Sequence, residues 1–408
     1  MKNRTLLFLI LGLAFAACQR RQSIPDHSIW AGTVELENGI AVPLRMDLDF
    51  SGAKPAGYFL VGEEKTSIPE ISREAESGTF GFTEYGAEIK ALWNGSTLSG
   101  NYFRIRSDGT KSLRFTASPE TSRDESAVVP LTTELAGNYQ VLFQGEDKVD
   151  DTTVAKFWTE NGTVYGTFIA PDGDYGLLEG TPSGKSIQLS RFTGWQSIAI
   201  LLENEAGTWS GRFYAASNPK PRPFILKPRA DLQIEAAAAM RTMMKNSKAE
   251  FAFSCSAPSG ETVKSTDQRF NGKALIVDIM GTWCHNCLDE APVLQNLQDR
   301  FGKDGLEVVG LSFEITDDAS LARKNLQLFK DRFGLTYTLL FCGSLDDENV
   351  KQQLHSQLDN FFAYPTAIFI DKNHRVRSIH SGFKGPGTGE EFQKQVREFE
   401  ELANSIVK

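Results

Sequence analysis

Cys284 and Cys287 lie three residues apart in the run Gly281-Thr282-Trp283-Cys284-His285-Asn286-Cys287, and their setting suits thiol chemistry. The run follows an apolar stretch, Ala274 to Met280, and opens a segment patterned as a helix. A cysteine at a helix N-terminus faces unpaired backbone N–H groups and the positive end of the dipole, which favour thiolate over thiol. Thiolate is the form that attacks a disulfide, and a second cysteine one helical turn on can resolve the mixed disulfide that results. Cys284 is therefore expected to attack and Cys287 to resolve.

The same spacing serves zinc, but zinc needs two further ligands. Cys255 and Cys342 are isolated, and the five histidines show no paired spacing. Covalent haem attachment needs a histidine after the second cysteine, where Leu288 stands. No metal is expected, and no cofactor beyond a redox-active Cys284–Cys287 disulfide. Cys255 and Cys342 fall in apolar-patterned strands and read as buried, inert thiols.

Two carboxylates lie within reach of this pair. Asp278 interrupts an apolar strand, where burial would raise its pKa and suit it to relay a proton for Cys287. Glu290 follows Cys287 by one helical turn and can face the same pocket. The plain alternatives are a strand-end Asp bonded to backbone and a solvated helix Glu. His285 either stabilises the adjacent thiolate when protonated or faces solvent without effect.

The elements needed to hold these residues are legible. Strand Ala274–Met280 leads into the helix from Cys284, followed by strand Leu306–Phe313, helix Asp317–Phe333, strand Tyr337–Cys342 and helix Glu348–Phe361. Strands Thr366–Ile370 and Val376–Phe383 then precede a final helix, with Thr388 and Glu391 as a capping box. Alternation of strands and helices predicts an α/β sheet over residues 250–408.

The preceding half differs. From Ile24 to Phe224 short alternating strands are broken by Gly, Asn and Asp. The region looks duplicated: Trp30-Ala-Gly32 matches Leu135-Ala-Gly137, Gly57-Tyr-Phe59 matches Gly166-Thr-Phe168, and Leu98-Ser-Gly100 matches Trp209-Ser-Gly211. Two related β-meander units are expected, residues 29–117 and 131–224, packed as sandwiches or as a barrel-like body. Trp158 and Trp195 could form a binding face or pack within the strands. The Pro-rich stretch Pro219–Pro228 closes the region, and residues 225–249 read as a linker with a short helix over Asp231–Lys245.

At the N-terminus Lys2 and Arg4 precede an apolar run, Leu6 to Ala17, that ends at Cys18. The run is too short to span a bilayer and suits a cleaved signal, residues 1–17. Phe15-Ala16-Ala17-Cys18 resembles a bacterial lipobox, with Phe15 in place of the usual Leu, which would leave Cys18 lipidated and residues 18–28 as a tether. Gln19 does not resemble an inner-membrane retention signal, so a periplasm-facing place in the cell envelope is expected, outer membrane favoured over inner. A formal charge of −9 and the lack of a Lys/Arg cluster in the body give no nucleic-acid signature.

The segment Leu275–Leu294 resembles the thioredoxin superfamily, and in particular the TlpA/ResA branch of exported thiol–disulfide oxidoreductases, related to the AhpC/TSA proteins. Trp283 matches the Trp before the first active-site cysteine, Pro292 the helix-bending Pro, Asp278 the buried Asp, and Glu290 the active-site Glu of that branch. Tyr364-Pro365-Thr366 stands where the fold places its cis-proline, and the run from Gly382 to Gly389 resembles two-part lipoproteins of this type. The resemblance implies a thioredoxin-like domain after an all-β region and substrate contacts from Trp283, Tyr364 and Pro365; His285 departs from the pattern, where Gly, Pro or Glu is more familiar, and is expected to contact substrate by its place between the cysteines. It also implies exported protein dithiols or disulfides as partners, together with a membrane electron donor of unspecified identity. A peroxiredoxin-like peroxidase, the enzymatic rival, needs a Thr three residues before its cysteine, and here that residue is Gly281. A binding lipoprotein with an accessory redox domain is the rival from another class.

Overall fold

A computed structural model describes residues 26–94, 96–106, 109–120, 129–145, 149–216, 218–233 and 241–408. Cys18, the signal segment and most of the tether lie outside the described residues.

The first unit is a meander of β1 (His27–Glu35), β2 (Ala41–Asp49), β3 (Ala56–Val61), β4 (Glu64–Ser67), β5 (Glu70–Arg73), β6 (Ser77–Phe82), β7 (Ala87–Asn94), β8 (Thr97–Arg106) and β9 (Gly109–Pro119). Its first and last strands pair, giving the order β4-β3-β2-β1-β9-β8-β7-β6-β5. The second unit comprises β10 (Gly137–Gln144), β11 (Val149–Glu160), β12 (Thr163–Ala170), β13 (Gly173–Asp174), β14 (Leu178–Gly180), β15 (Pro182–Ser183), β16 (Ser186–Phe192), β17 (Ser197–Glu205), β18 (Thr208–Ala215) and β19 (Asn218–Arg229). Here too the first strand pairs with the last, β10 with β19, and β11 pairs with β12 to close a ring. The matched glycines fall on corresponding strands of the two units, β1 and β10, β3 and β12, β8 and β18. The duplication is therefore one of topology, but only the second unit closes into a barrel; the first is an open curved sheet that ends at β4 and β5. Closure of the second removes sheet edges that would otherwise invite pairing.

The Pro-rich stretch does close the β region, but as a strand of it rather than as a break after it. It forms β19, which runs to Arg229. Pro219, Pro221 and Pro223 lie where β19 has β18 alone as neighbour, because pairing with β10 begins only at Phe224. A missing N–H costs little on an open side. The helix expected over Asp231–Lys245 is not found in its described part. There Met243–Met244 is a short strand, β20, paired with β26 (Leu358–Asp359); residues 234–240 lie outside the described residues.

The C-terminal domain holds β21 (Ser254–Ser256), β22 (Thr262–Lys264), β23 (Ala274–Met280), α1 (His285–Phe301), β24 (Leu306–Glu314), α2 (Ala319–Phe333), β25 (Thr338–Ser344), α3 (Glu348–Gln357), β27 (Thr366–Ile370), β28 (Val376–Ser381) and α4 (Glu390–Ile406). The sheet order is β22-β21-β25-β24-β23-β27-β28, with β23, β24 and β25 parallel and β27 and β28 antiparallel to their neighbours. All seven residues of β23 are buried, as suits a central strand covered on both faces. Ala274, Ile276 and Met280 join the apolar cluster that holds α1, α2 and α4, whereas Leu275, Val277 and Ile279 join the opposite cluster with α3. Asp278 shares parity with the first set and is therefore aimed at α1.

Two local expectations are corrected. Cys255 and Cys342 are not free thiols but form a disulfide joining β21 to β25, on the face of the sheet away from the C-x-x-C pair. The capping box at α4 is absent. Thr388 donates its hydroxyl to the carbonyl of Gly385 and Glu391 binds Lys384, so the helix starts after Gly389 without a side-chain cap.

The first apolar cluster does not stop at the domain boundary. It runs from Trp30, Phe59, Phe82 and Phe115 in the first unit, through Phe192 and Tyr214 in the second, to Met280, Leu288 and Phe383 in the C-terminal domain.

Candidate active site

Cys284 is the N-cap residue of α1, with extended backbone (φ −91°, ψ 121°), and Cys287 lies in the helix's first turn. Both are free thiols, 7% and 1% exposed respectively. The Cys284 thiol donates to the Tyr364 carbonyl at 3.3 Å. The Tyr364–Pro365 peptide is cis, and the Pro365 carbonyl accepts the Gly382 N–H at 2.8 Å. Burial, with the neighbouring Cys284 and Asp278 after it, pushes the Cys287 thiol well above its ordinary pKa.

Asp278 and Glu290 are 2% and 1% exposed and hydrogen-bond to each other through their side chains. Burial raises both. Asp278 is pushed up to about 7, held back by the bond from Glu290, and Glu290 is pushed further up by burial and by the charge of Asp278. Their outer oxygens, Oδ1 of Asp278 and Oε2 of Glu290, have no partner. Neither carboxyl is solvated or tied to backbone in the way the plain alternatives required.

The loop before Cys284 is fixed from below by a residue that sequence reading missed. Glu314, fully buried at the end of β24, accepts the Thr282 N–H at 3.1 Å, the Thr282 hydroxyl at 2.8 Å and the Ser312 hydroxyl. Trp283 donates its indole N–H to the Phe313 carbonyl at 2.8 Å, and its ring meets Tyr364 edge-on at 5.6 Å. A Cβ at Gly281 would stand 2.2 Å from the Trp283 indole nitrogen. The Thr a peroxidase needs at that position has no room.

His285 is turned away from the thiols. Its Nε2 bonds the Asp174 carbonyl in the second β unit, so that nitrogen carries the proton, and burial lowers its pKa to about 4. A neutral ring facing the barrel is neither the charged neighbour nor the solvent-facing side chain considered from sequence. Trp195 is half-buried and stacks on Tyr85 at 4.3 Å, while Trp158 stacks on Tyr165, so neither forms an exposed binding face. Among the described residues, no group of three or more His, Cys, Asp and Glu is placed to hold a metal ion.

A dithiol at a helix N-terminus, on a sheet of this order and beside a buried acid pair, defines a thioredoxin-fold redox site. The AhpC/TSA family profile matches residues 246–379. The thioredoxin-like protein YneN of Bacillus subtilis is 30% identical over 130 residues, covering 32% of this chain and 68% of that protein. The thiol-disulfide oxidoreductase ResA of Geobacillus thermodenitrificans is 28% identical over 123 residues, covering 30% of this chain and 62% of ResA, less than two thirds of its length. A crystal structure of a thiol:disulfide interchange protein DsbE from Chlorobium tepidum aligns with 39% of this chain and 96% of that one, at 19% identity and a TM-score of 0.31. This chain belongs to the ResA-like thioredoxin-fold family of thiol–disulfide oxidoreductases.

Proposed function

We propose that this protein exchanges or reduces disulfides of exported proteins through a Cys284/Cys287 dithiol–disulfide cycle that needs no other cofactor. The observation that carries this is the place of Cys287, a buried thiol one helical turn from the N-cap cysteine and beside two linked carboxyls. Cys284, as thiolate, attacks one sulfur of a substrate disulfide; a Cys284–substrate bond forms and one substrate thiolate leaves to be protonated. Cys287 then gives its proton to Asp278 and attacks the Cys284 sulfur. The second substrate thiol is released, two electrons have passed to the substrate, and Cys284–Cys287 is the disulfide left behind. A dithiol donor at the membrane restores the pair by the reverse exchange.

The setting proposed is the periplasmic side of a bacterial envelope, with residues 1–17 removed and a lipid on Cys18. The Cys255–Cys342 bond supports an oxidising compartment. Among the described residues no helix is long and apolar enough to cross a membrane. Mass spectrometry of the mature N-terminus tests the anchor: diacylglyceryl on Cys18 is expected, and a bare thiol there refutes it.

The redox assignment is tested by trapping. Cys287→Ser should accumulate a mixed disulfide through Cys284 with a disulfide-bonded protein, and Cys284→Ser should accumulate none. Trapping through Cys287 instead would reverse the roles. The reduction potential of the pair then decides direction, a low value marking a reductase and a high one an oxidant.

A further inference from the structure

The residues beside the two cysteines are bonded to the β-rich region. Thr282 shares its hydroxyl between Glu314 and the Glu84 carbonyl, the latter at 3.2 Å in the turn Thr83–Tyr85 of the first unit. His285 bonds the carbonyl of Asp174, and the Asn286 side-chain amide donates to the carbonyl of Asp172 at 3.4 Å.

The second contact is the more telling. Residues 171–174 are the tip of the β12–β13 hairpin, the turn Pro171–Asp172 and the short strand β13, and lie along the segment that follows β28. Gly173 forms a parallel β-bridge with Phe383, and Asp174 accepts the Gly385 N–H through Oδ2. Gly382 of that same segment donates to Pro365, whose neighbour Tyr364 holds the Cys284 thiol. The turn thus adds main chain to the strip where Cys284, Tyr364–Pro365 and residues 382–385 meet. It fits there because residue 173 is Gly: φ is +135°, and a Cβ would stand 1.7 Å from the Asn286 amide nitrogen.

We propose that the turn 171–174 is a built-in plug, occupying the strip beside Cys284 that an extended segment of a substrate protein takes. The inference rests on the reading that Cys284 attacks protein disulfides. Main-chain pairing is how a sheet receives an extended peptide, and the Gly173–Phe383 bridge is a contact of that kind supplied from within the chain, flanked by side-chain bonds from His285 and Asn286 and by the Asp174 carboxylate on the Gly385 N–H. Such bonds exchange with water when the turn lifts, so the closed and open forms differ by a limited number of polar contacts. A protein substrate reaches Cys284 only in the open form, and its apparent affinity falls by the open fraction. A reagent the size of a few atoms needs no such opening.

The test compares alkylation of Cys284 by iodoacetamide and by a polymer-linked maleimide, using reduced full-length chain in a Cys287→Ser background. Gly173→Val places side-chain atoms where the Asn286 amide sits and wedges the turn out. It should raise the rate ratio of large to small reagent about ten-fold. An unchanged ratio in a folded Gly173→Val protein overturns the plug. Should that variant fail to fold, hydrogen exchange on the unaltered chain decides. The Gly385 amide should exchange through a local opening, well before core amides such as that of Phe157, and exchange of both only on global unfolding overturns the proposal. Alkylation reads access and not turnover, so absent disulfide exchange with the size dependence intact would count against the redox reading and leave the plug standing.

Discussion

Glu290 gives its carboxyl proton to a hydrogen bond with Asp278, so two acids in the protein interior hold one proton between them. Two negative charges so close in a buried site are unfavourable, and sharing one proton is how such a pair settles. The pair is thus asymmetric. Glu290 keeps its proton, and Asp278, pushed up only to about 7, is the member free to take another.

The asymmetry predicts unequal effects on the resolving step. Asp278→Asn removes the acceptor for the Cys287 proton and should slow resolution about 10²-fold at neutral pH. Glu290→Gln still offers Asp278 a donor and should slow it less. Attack by Cys284 should be nearly unchanged in both. Stopped-flow measurement of the two steps checks this; equal slowing in both variants would contradict the assignment of Asp278 as base.

His285 and Asp174 make stability depend on pH in opposite senses. Burial lowers His285 from 6.5 to about 4 in the folded chain, so between those values the unfolded state binds more protons and stability falls as pH falls. Asp174 is raised from 3.8 to about 6, so the folded state binds more protons there and stability rises as pH falls. The two oppose each other between pH 6 and 4. His285→Asn should remove only the first, leaving a chain that gains stability on acidification through that window. Urea melts across it in which the unaltered chain and the variant change in parallel would count against the neutral imidazole, and no gain in the variant would count against the raised Asp174.

Arg332 of α2 donates to Glu84 at 2.9 Å, to the Tyr85 hydroxyl at 3.1 Å and to the Ser67 carbonyl at 3.3 Å. The Glu84 carboxylate is 1% exposed, and burial raises its pKa against the pull of Arg332. Arg332→Ala strands that carboxylate and should cost about 3–5 kcal/mol. Adding Glu84→Gln should recover part of the loss. A double variant no more stable than Arg332→Ala would show that the cost is packing against Tyr85 and Trp195 rather than charge.

The Cys255–Cys342 bond spans a sequence separation of 87 and lies across the sheet from the working thiols. Closing a loop of that size is worth about 4–5 kcal/mol in the chain-entropy picture, with about 2–5 kcal/mol usual when a native bridge is removed. The Cys255→Ala/Cys342→Ala chain should lose stability on that scale while mixed-disulfide trapping through Cys284 persists. Loss of trapping in a folded double variant would mean that the bridge takes part in the redox cycle.

What could be read in advance was local. Cys284, Cys287, Asp278 and Glu290 sit within one strand and one helix turn, and strand parity alone aimed Asp278 at α1. Tyr85, Asp174 and Glu314 could not be reached that way. The Thr282–Glu84 and His285–Asp174 contacts join residues 198 and 111 positions apart, in segments with no distinguishing pattern. Cys255 and Cys342 each looked like an apolar strand residue, and only the pairing of β21 with β25 brings them together. Pro219–Pro228 signalled a break because proline rarely enters a sheet, and the half-open position of β19 is invisible in one sequence. Thr388 and Glu391 had the spacing of a cap, but the Gly385 carbonyl and Lys384 claimed them.

The apolar cluster shared by the first β unit and the C-terminal domain bears on the order in which this chain becomes a protein. Tyr85 and Phe82 emerge from synthesis or export long before Arg332 and Leu288, whose elements complete their surroundings. Contacts of such sequence separation form late and slowly. Until they do, the first β unit presents an unfinished aromatic face to its surroundings, the kind of surface on which partly folded chains associate. Truncation after the second β unit should therefore release a product prone to aggregate, because it removes the residues that cover that face.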